Sequence, residues 1–318
     1  MPVTRMLVHH AQGGFAESPA LASISDLLQD PQQIVWLDLQ DPDAVDMTLL
    51  RDEFGFHELA LEDAVKRGQR PKLDQYGDHC FMVFYAVRRG GNEEIALFIG
   101  ANYLVTVHVG PVPEIAATAE RWRLNADRLG HSIAVPVYSL LDAIVDGYFP
   151  IVDEIAERVE EIETELFAPG GRDCQQDVFA LKRELLHMRR AIAPEREVLN
   201  ALIRRDEPLL GEHTLPYFQD IYDHLIRILD SIDVVRDQLT SLLDAQLSVV
   251  SNRLNAVMKR MTALSTILMS ANLVAANYGM NFQVMPELGW PLGYAWALVL
   301  MLATGLLLAW WFRRIDWL

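Results

Sequence analysis

From Met261 to Phe312 the chain carries one formally charged residue, Glu287. A soluble core does not need so long a charge-poor run. A bilayer does, at roughly 20 apolar residues per helical crossing. Gly279, Pro286, Gly289 and Pro291 interrupt the run and divide it. Two crossings are therefore expected, at about 261–277 and at 292–312, joined by a short loop over 279–291. That loop opens with Gly279-Met280-Asn281. A polar, tightly turned tripeptide is costly against lipid, so it is expected to line something wet. The hairpin reads as the end of a pore.

Lys259 and Arg260 precede the first crossing, and Arg313 and Arg314 follow the second. The loop between them has no Lys or Arg. The positive-inside rule places both termini in the cytoplasm and the short loop outside; the expected location is the cell's inner (plasma) membrane. The first residues lack an apolar signal segment, so the region before the hairpin is expected to be cytosolic. Cys80 and Cys174 show no ligand spacing and are expected to be reduced thiols. The formal net charge is −17. That disfavours nucleic acid as a partner and suits either a cation-gathering surface or plain solubility.

The first third alternates strand and helix signals. Short apolar or aromatic runs at 33–39, 80–88, 94–99 and 103–109 are bounded by Gly90-Gly91-Asn92, Gly100-Ala101-Asn102 and Gly110-Pro111. They predict strands, three of them antiparallel neighbours in a mixed sheet. Helical spacing marks 43–54 and 57–66. After about residue 113 the pattern is helical, with an apolar stripe running from 137 to 167 beside an acidic face. A return helix is expected over 173–191, with a further helical stretch beyond Pro194. From Tyr217 to Tyr278 there is neither Gly nor Pro. A helix of that length spans on the order of 90 Å.

The resulting expectation is an α+β chain in six parts. These are a cytosolic mixed α/β domain (1–135), an antiparallel helical segment (136–215), a stalk helix running into the first transmembrane helix (216–278), an external loop (279–291), a second transmembrane helix (292–312) and a tail (313–318).

Along the stalk, Asn255, Met258, Thr262, Ser265, Met269, Asn272 and Ala276 recur at steps of three and four. That is a heptad seam. Its contents are amides, hydroxyls and two methionines, where a dry coiled coil would carry Leu, Ile or Val. Polar groups in a membrane span face protein or water. Two readings follow: helices glued by small and polar side chains, or several copies surrounding a water column. In the second, methionine rings form constrictions that close by dewetting.

Tyr278-Gly279-Met280-Asn281-Phe282 followed by Met285-Pro286-Glu287-Leu288, placed between two C-terminal spans, resembles the CorA family of magnesium and cobalt channels. The resemblance extends through Tyr217 to His224 and Arg70-Pro71-Lys72, and covers roughly 56–318. It implies a homopentameric funnel whose stalk helices line the pore and whose Gly279, Met280 and Asn281 form the external mouth. Asn281 would present a ring of amide oxygens to a hydrated ion, since Mg²⁺ sheds water reluctantly. Gly279 would supply the backbone freedom that aims the ring. Asn255, Met258, Met261 and Met269 resemble the family's inner pore and gate, whereas the heptad count prefers Thr262 to Met261. Glu62, Asp63, Asp142, Asp220 and His224 match positions that sense cytosolic Mg²⁺ between subunits. The tail is shorter and less basic than is common in the family, and Asn272 stands where Thr is common.

The implied function is a divalent cation channel for Mg²⁺, also Co²⁺ and Ni²⁺, with Mg²⁺ both cargo and regulator. A zinc transporter sharing the tripeptide is one alternative. The other is a cytosolic sensor merely tethered by its hairpin, which would carry a dry seam. No phosphate-binding loop or nucleophile–base set supports an enzyme.

Overall fold

The computed structural model describes residues 3–12, 14–17, 24–129, 131–168, 172–204, 213–281 and 285–318. The chain forms two compact units, Met1–Thr240 and Ser241–Leu318.

The first unit is built on a seven-stranded sheet. Its strands are β1 (Val3–His10), β2 (Phe15–Glu17), β3 (Gln33–Gln40), β4 (Lys72–Tyr76), β5 (His79–Arg88), β6 (Gly91–Ile99) and β7 (Tyr103–His108). They lie in the order β2-β1-β3-β7-β6-β5-β4. Among the described residues only the β3–β7 pair is parallel, with Val35 opposite Tyr103 and Leu39 opposite Val107. A buried polar chain fixes this pair. Trp36 Nε1 donates to Thr106 Oγ1 at 3.1 Å, and Thr106 Oγ1 donates to Asp38 Oδ1 at 2.5 Å. His108 Nε2 lies 3.2 Å from the same carboxylate.

Alternate residues of each strand face opposite layers. Val35, Leu37, Val83, Phe98 and Val105 face α1 (Ile24–Gln29), α2 (Ala44–Phe54) and α3 (Glu58–Val65), packing on Ile24, Leu50, Phe54 and Leu61. A capping box between Asp43 and Asp46 starts α2, and Gly55, at φ 66°, stops it. On the other face Trp36 meets Trp122 of α4 (Pro113–Leu129), ring centroids 6.0 Å apart, both side chains buried. Helices α5 (Ala134–Asp146), α6 (Tyr148–Phe167) and α7 (Gln175–Arg204) contact β5 from this side. The first turns of α8 (Leu215–Tyr278) join them, where Phe218 meets Tyr138 of α5 edge-on.

The four strands and two early helices read from sequence are present within a residue or three at each end. β1, β2 and β4 are additions to that reading. The apolar stripe expected as one helix over 137–167 is two, α5 and α6, meeting at Gly147. Conversely, α7 runs unbroken through Pro194. The lost N–H there is tolerated because Met188, Ala191 and Ile192 before it, and Val198, Leu199 and Leu202 after it, are all buried.

Glu195, the next residue of α7, is fully buried, and its partners among the described residues are all uncharged. Its Oε1 accepts the Tyr85 N–H at 2.9 Å, and its Oε2 lies 3.1 Å from the Tyr148 hydroxyl, which itself donates to the Tyr85 carbonyl. Burial pushes this carboxyl well above its usual range. Protonated, it closes a ring: carboxyl O–H to Tyr148, Tyr148 O–H to the Tyr85 carbonyl, and Tyr85 N–H back to the carboxyl.

In the second unit the remainder of α8 leads to a 3₁₀ turn at Pro286–Gly289 and to α9 (Gly293–Arg314). Among the described residues two stretches are long and apolar enough to cross a bilayer, Ala134–Phe167 and Gly293–Arg314. The first belongs to the core of the α/β unit, with Leu140, Leu141, Ile144 and Ile155 buried. The second is only 11% buried. The expected crossing at 261–277 is not among them, because Thr262, Ser265, Asn272 and Asn277 dilute its apolar residues.

Candidate functional site: a polar stripe and an acidic cluster

The face of α8 that α9 covers is shown by burial. Ala263 is buried, and Ile267, Ser270, Ala271 and Val274 are partly so. Gly305 of α9 lies close enough to Ile267 that a Cβ there would stand 3.8 Å from its Cγ2. Small residues on both sides, Ala263 and Gly305, permit this approach. At 100° per residue, Met258, Ser265, Met269 and Ala276 project about 160–180° away from Ile267. Asn255, Met258, Thr262, Ser265, Met269 and Asn272 are all exposed in the single chain, and so is Met261 on the adjoining flank. Leu264, Leu268 and Leu273 are equally bare. The second unit therefore buries the small-residue face of α8 and leaves both its polar stripe and a leucine flank uncovered. At the lower end of the stripe, Asn255, Met258 and Thr262 border a cavity of about 560 Å³ that the tail residues Asp316, Trp317 and Leu318 close.

At the other end, α8 stops at Tyr278. The Gly279 N–H donates to the Ala275 and Ala276 carbonyls at 3.0 and 3.2 Å, and Met280 N–H reaches the Asn277 carbonyl at 3.4 Å. Gly279 is not in the left-handed region. What its missing side chain spares is crowding, since a Cβ would lie 3.2 Å from the Ala275 carbonyl oxygen. Asn281 is exposed. Phe282 lies outside the described residues. The return into α9 needs glycine more strictly, as a Cβ on Gly293 would meet the Glu287 carbonyl oxygen at 2.3 Å.

In the first unit three of the five expected regulatory residues come together. Asp142 on α5 and Asp220 and His224 on α8 offer ligand atoms within 4.8 Å of one another. Asp220 and His224 share a face because they are four apart on one helix, with His224 Nε2 3.9 Å from Asp220 Oδ1. His224 Nδ1 is 3.5 Å from Asp146 Oδ1 and has no hydrogen-bond partner among the described residues, while Phe149 meets the imidazole edge-on. Asp146, one turn along α5 from Asp142, is an addition to the expected set, although the same four-residue spacing marks it.

The chemistry of this donor set fits a divalent cation. Burial, then the Asp146 charge, raises the Asp142 carboxyl, and His224 only partly offsets this. Opposite oxygens around Mg²⁺ are about 4.2 Å apart, so the cluster is slightly open for direct ligation and suits an ion that keeps some of its water. Glu62 and Asp63 stand elsewhere, on α3 across the sheet. Asp63 accepts from Lys72 Nζ at 2.7 Å, and Glu62 from Lys66 at 3.0 Å.

A mixed α/β unit, a long helix with a bare polar stripe and an apolar C-terminal helix long enough to cross a bilayer are thus the parts of this chain. The family model described as CorA-like Mg2+ transporter protein matches residues 31–314. The chain belongs to the CorA family. It is 38% identical over 284 residues to YfjQ of Bacillus subtilis, covering 89% of each chain. It is 34% identical over 298 residues to the cobalt/magnesium transport protein CorA of Thermotoga maritima, covering 91% of this chain and 85% of that one. The solved structure of the CorA magnesium transporter from Methanocaldococcus jannaschii superposes with a TM-score of 0.85 at 21% identity, over 99% of both chains. That likeness extends the shared fold to the full length.

Proposed function

We propose that this chain assembles as a homopentameric channel that admits Mg²⁺, and also Co²⁺, down its gradient through the inner membrane, with both termini in the cytoplasm. The observation that carries this reading is the bare polar stripe of α8. The one face that α9 occupies is opposite it, so the stripe is free to meet other copies around a common axis. Asn281 at the outer end offers neutral amide oxygens that hold a hydrated ion without stripping it. Met258 and Met269 form apolar constrictions that close by dewetting, with Asn255, Ser265 and Asn272 keeping water between them.

Regulation is assigned to Asp142, Asp220 and His224, joined by Glu62 and Asp63 of a neighbouring copy. Bound Mg²⁺ supplies the positive charge that relieves their mutual repulsion. When it leaves, the carboxylates repel and the interface loosens.

Flux into liposomes containing the purified protein tests the reading with Mg²⁺, Co²⁺, Ni²⁺ and Zn²⁺ offered separately. Wild type is expected to pass Mg²⁺ and Co²⁺, and Asn281→Ala to lose Mg²⁺ flux while its oligomer elutes unchanged. Undiminished flux in Asn281→Ala would refute the mouth assignment. Flux of Zn²⁺ alone would favour the zinc branch.

A further inference from the structure

A cavity of about 950 Å³ lies between the α3–β4 loop and α7. It has no part in the pore or the acidic cluster. Its wall carries Arg67, Arg70, Arg189 and Arg190, with His187 beside them and no lysine. The chain has 44 acidic residues against 27 Lys and Arg, so four guanidiniums facing one cavity is a marked local inversion of charge.

The pairing of those guanidiniums decides what the cavity can hold. Arg189 is neutralised by a two-point ion pair with Asp233, at 3.1 Å through both Nε and Nη2. Arg67, Arg70 and Arg190 are exposed and make no hydrogen bond or ion pair with other described residues. The single acid on the wall, Glu94, is 7% exposed and turned to the backbone, accepting the Gly68 N–H at 2.6 Å. Burial raises its carboxyl, and the Gly68 N–H and the Arg67 charge offset this only in part. Among the described residues, three guanidiniums without a hydrogen bond or ion pair thus line a cavity whose single carboxylate, Glu94, is engaged by the Gly68 backbone.

Planar forked donors match phosphate oxygens two at a time, which lysine cannot do. The volume lies within the range of small-ligand sites, and one phosphate would leave most of it and most of the donors unused. We infer that this cavity is a binding site for a polyphosphate anion, such as the phosphate chain of a nucleotide, held by Arg67, Arg70 and Arg190.

The test is calorimetric titration of the purified full-length protein with ATP, tripolyphosphate and inorganic phosphate. EDTA is present throughout, so that chelation of Mg²⁺ plays no part. ATP and tripolyphosphate are expected to bind, and inorganic phosphate at least tenfold more weakly. Arg67→Ala and Arg190→Ala should each weaken binding by about tenfold, and Arg67→Lys by less, at unchanged melting temperature and oligomeric state. Should either alanine variant fail to fold, the corresponding lysine variant carries the comparison and must still bind more weakly than wild type. Absence of polyphosphate binding, binding that both arginine variants leave unchanged, or inorganic phosphate binding as tightly as tripolyphosphate would each overturn the assignment.

Discussion

His224 Nδ1 lies 3.5 Å from Asp146 Oδ1, so the imidazole on α8 stands between two acidic faces, its own and that of α5. Three carboxylates, Asp142, Asp146 and Asp220, therefore surround one histidine. One imidazole cannot offset them all at neutral pH, which is the condition a divalent cation relieves.

The pH dependence of the cluster has a definite sign. A carboxyl raised in the folded state makes folding favour the proton. Its destabilising effect is fully present above the folded pKa and disappears as pH falls through it. Asp142→Asn should therefore raise the melting temperature in EDTA by on the order of 2 °C and abolish the further rise given by Mg²⁺. For wild type, Mg²⁺ protection against proteolysis should be weaker at pH 5 than at pH 7.5, because protons compete for the same oxygens. A lower melting temperature in EDTA for the Asp142→Asn variant than for wild type would count against the repulsion argument.

Lys72 competes for Asp63, one of the carboxylates proposed above to be regulatory. It binds Asp63 at 2.7 Å and Asp74 at 2.6 Å. Lys72→Met should free Asp63 for a cation and lower the Mg²⁺ concentration that half-closes the channel, by up to about fivefold, the equivalent of ~1 kcal/mol for a partly exposed pair. The check is Mg²⁺-dependent inhibition of Co²⁺ flux. A shift to higher concentration would mean that Asp63 holds no ion.

Met269 is 71% exposed on the bare face of α8. If it forms an apolar ring in the assembly, Met269→Asp hydrates the constriction and raises resting leak about tenfold or more, measured as ion flux at millimolar internal Mg²⁺. Leak equal to that of wild type would place the gate elsewhere.

The buried ring of Glu195, Tyr148 and Tyr85 predicts a contrast between two substitutions. Glu195→Gln keeps a donor and an acceptor and should cost under about 1 kcal/mol, whereas Glu195→Ala leaves buried groups unpaired and should cost about 2–3 kcal/mol. Because the carboxyl is raised in the fold, its contribution is fully present below the unfolded pKa and is lost as pH rises through the folded one. The Gln variant should flatten that alkaline decline in a series of thermal melts.

What the sequence made legible follows burial. β5, β6 and β7 are nearly continuous apolar runs because both of their faces are covered. β4, Lys-Leu-Asp-Gln-Tyr, lies at the sheet edge with no fully buried residue, so it carries no such signal. The break at Gly147 is hidden because the apolar period of α5 continues in phase into α6. Asp220 and His224 share a helix face by spacing alone, and that pattern by itself describes any solvated helix. Asp142 is brought to them from 78 residues away in sequence by packing of α5 on α8, which no local period encodes.

The placement of the seven tryptophans has an optical consequence. Trp36 and Trp122 sit tilted against each other inside the sheet core, whereas Trp290, Trp296, Trp310, Trp311 and Trp317 all belong to the hairpin unit. Brominated lipids should darken the second set and spare the first. The residual emission then reports the α/β unit alone, so its response to Mg²⁺ or to a phosphate ligand can be followed in a proteoliposome without any attached dye.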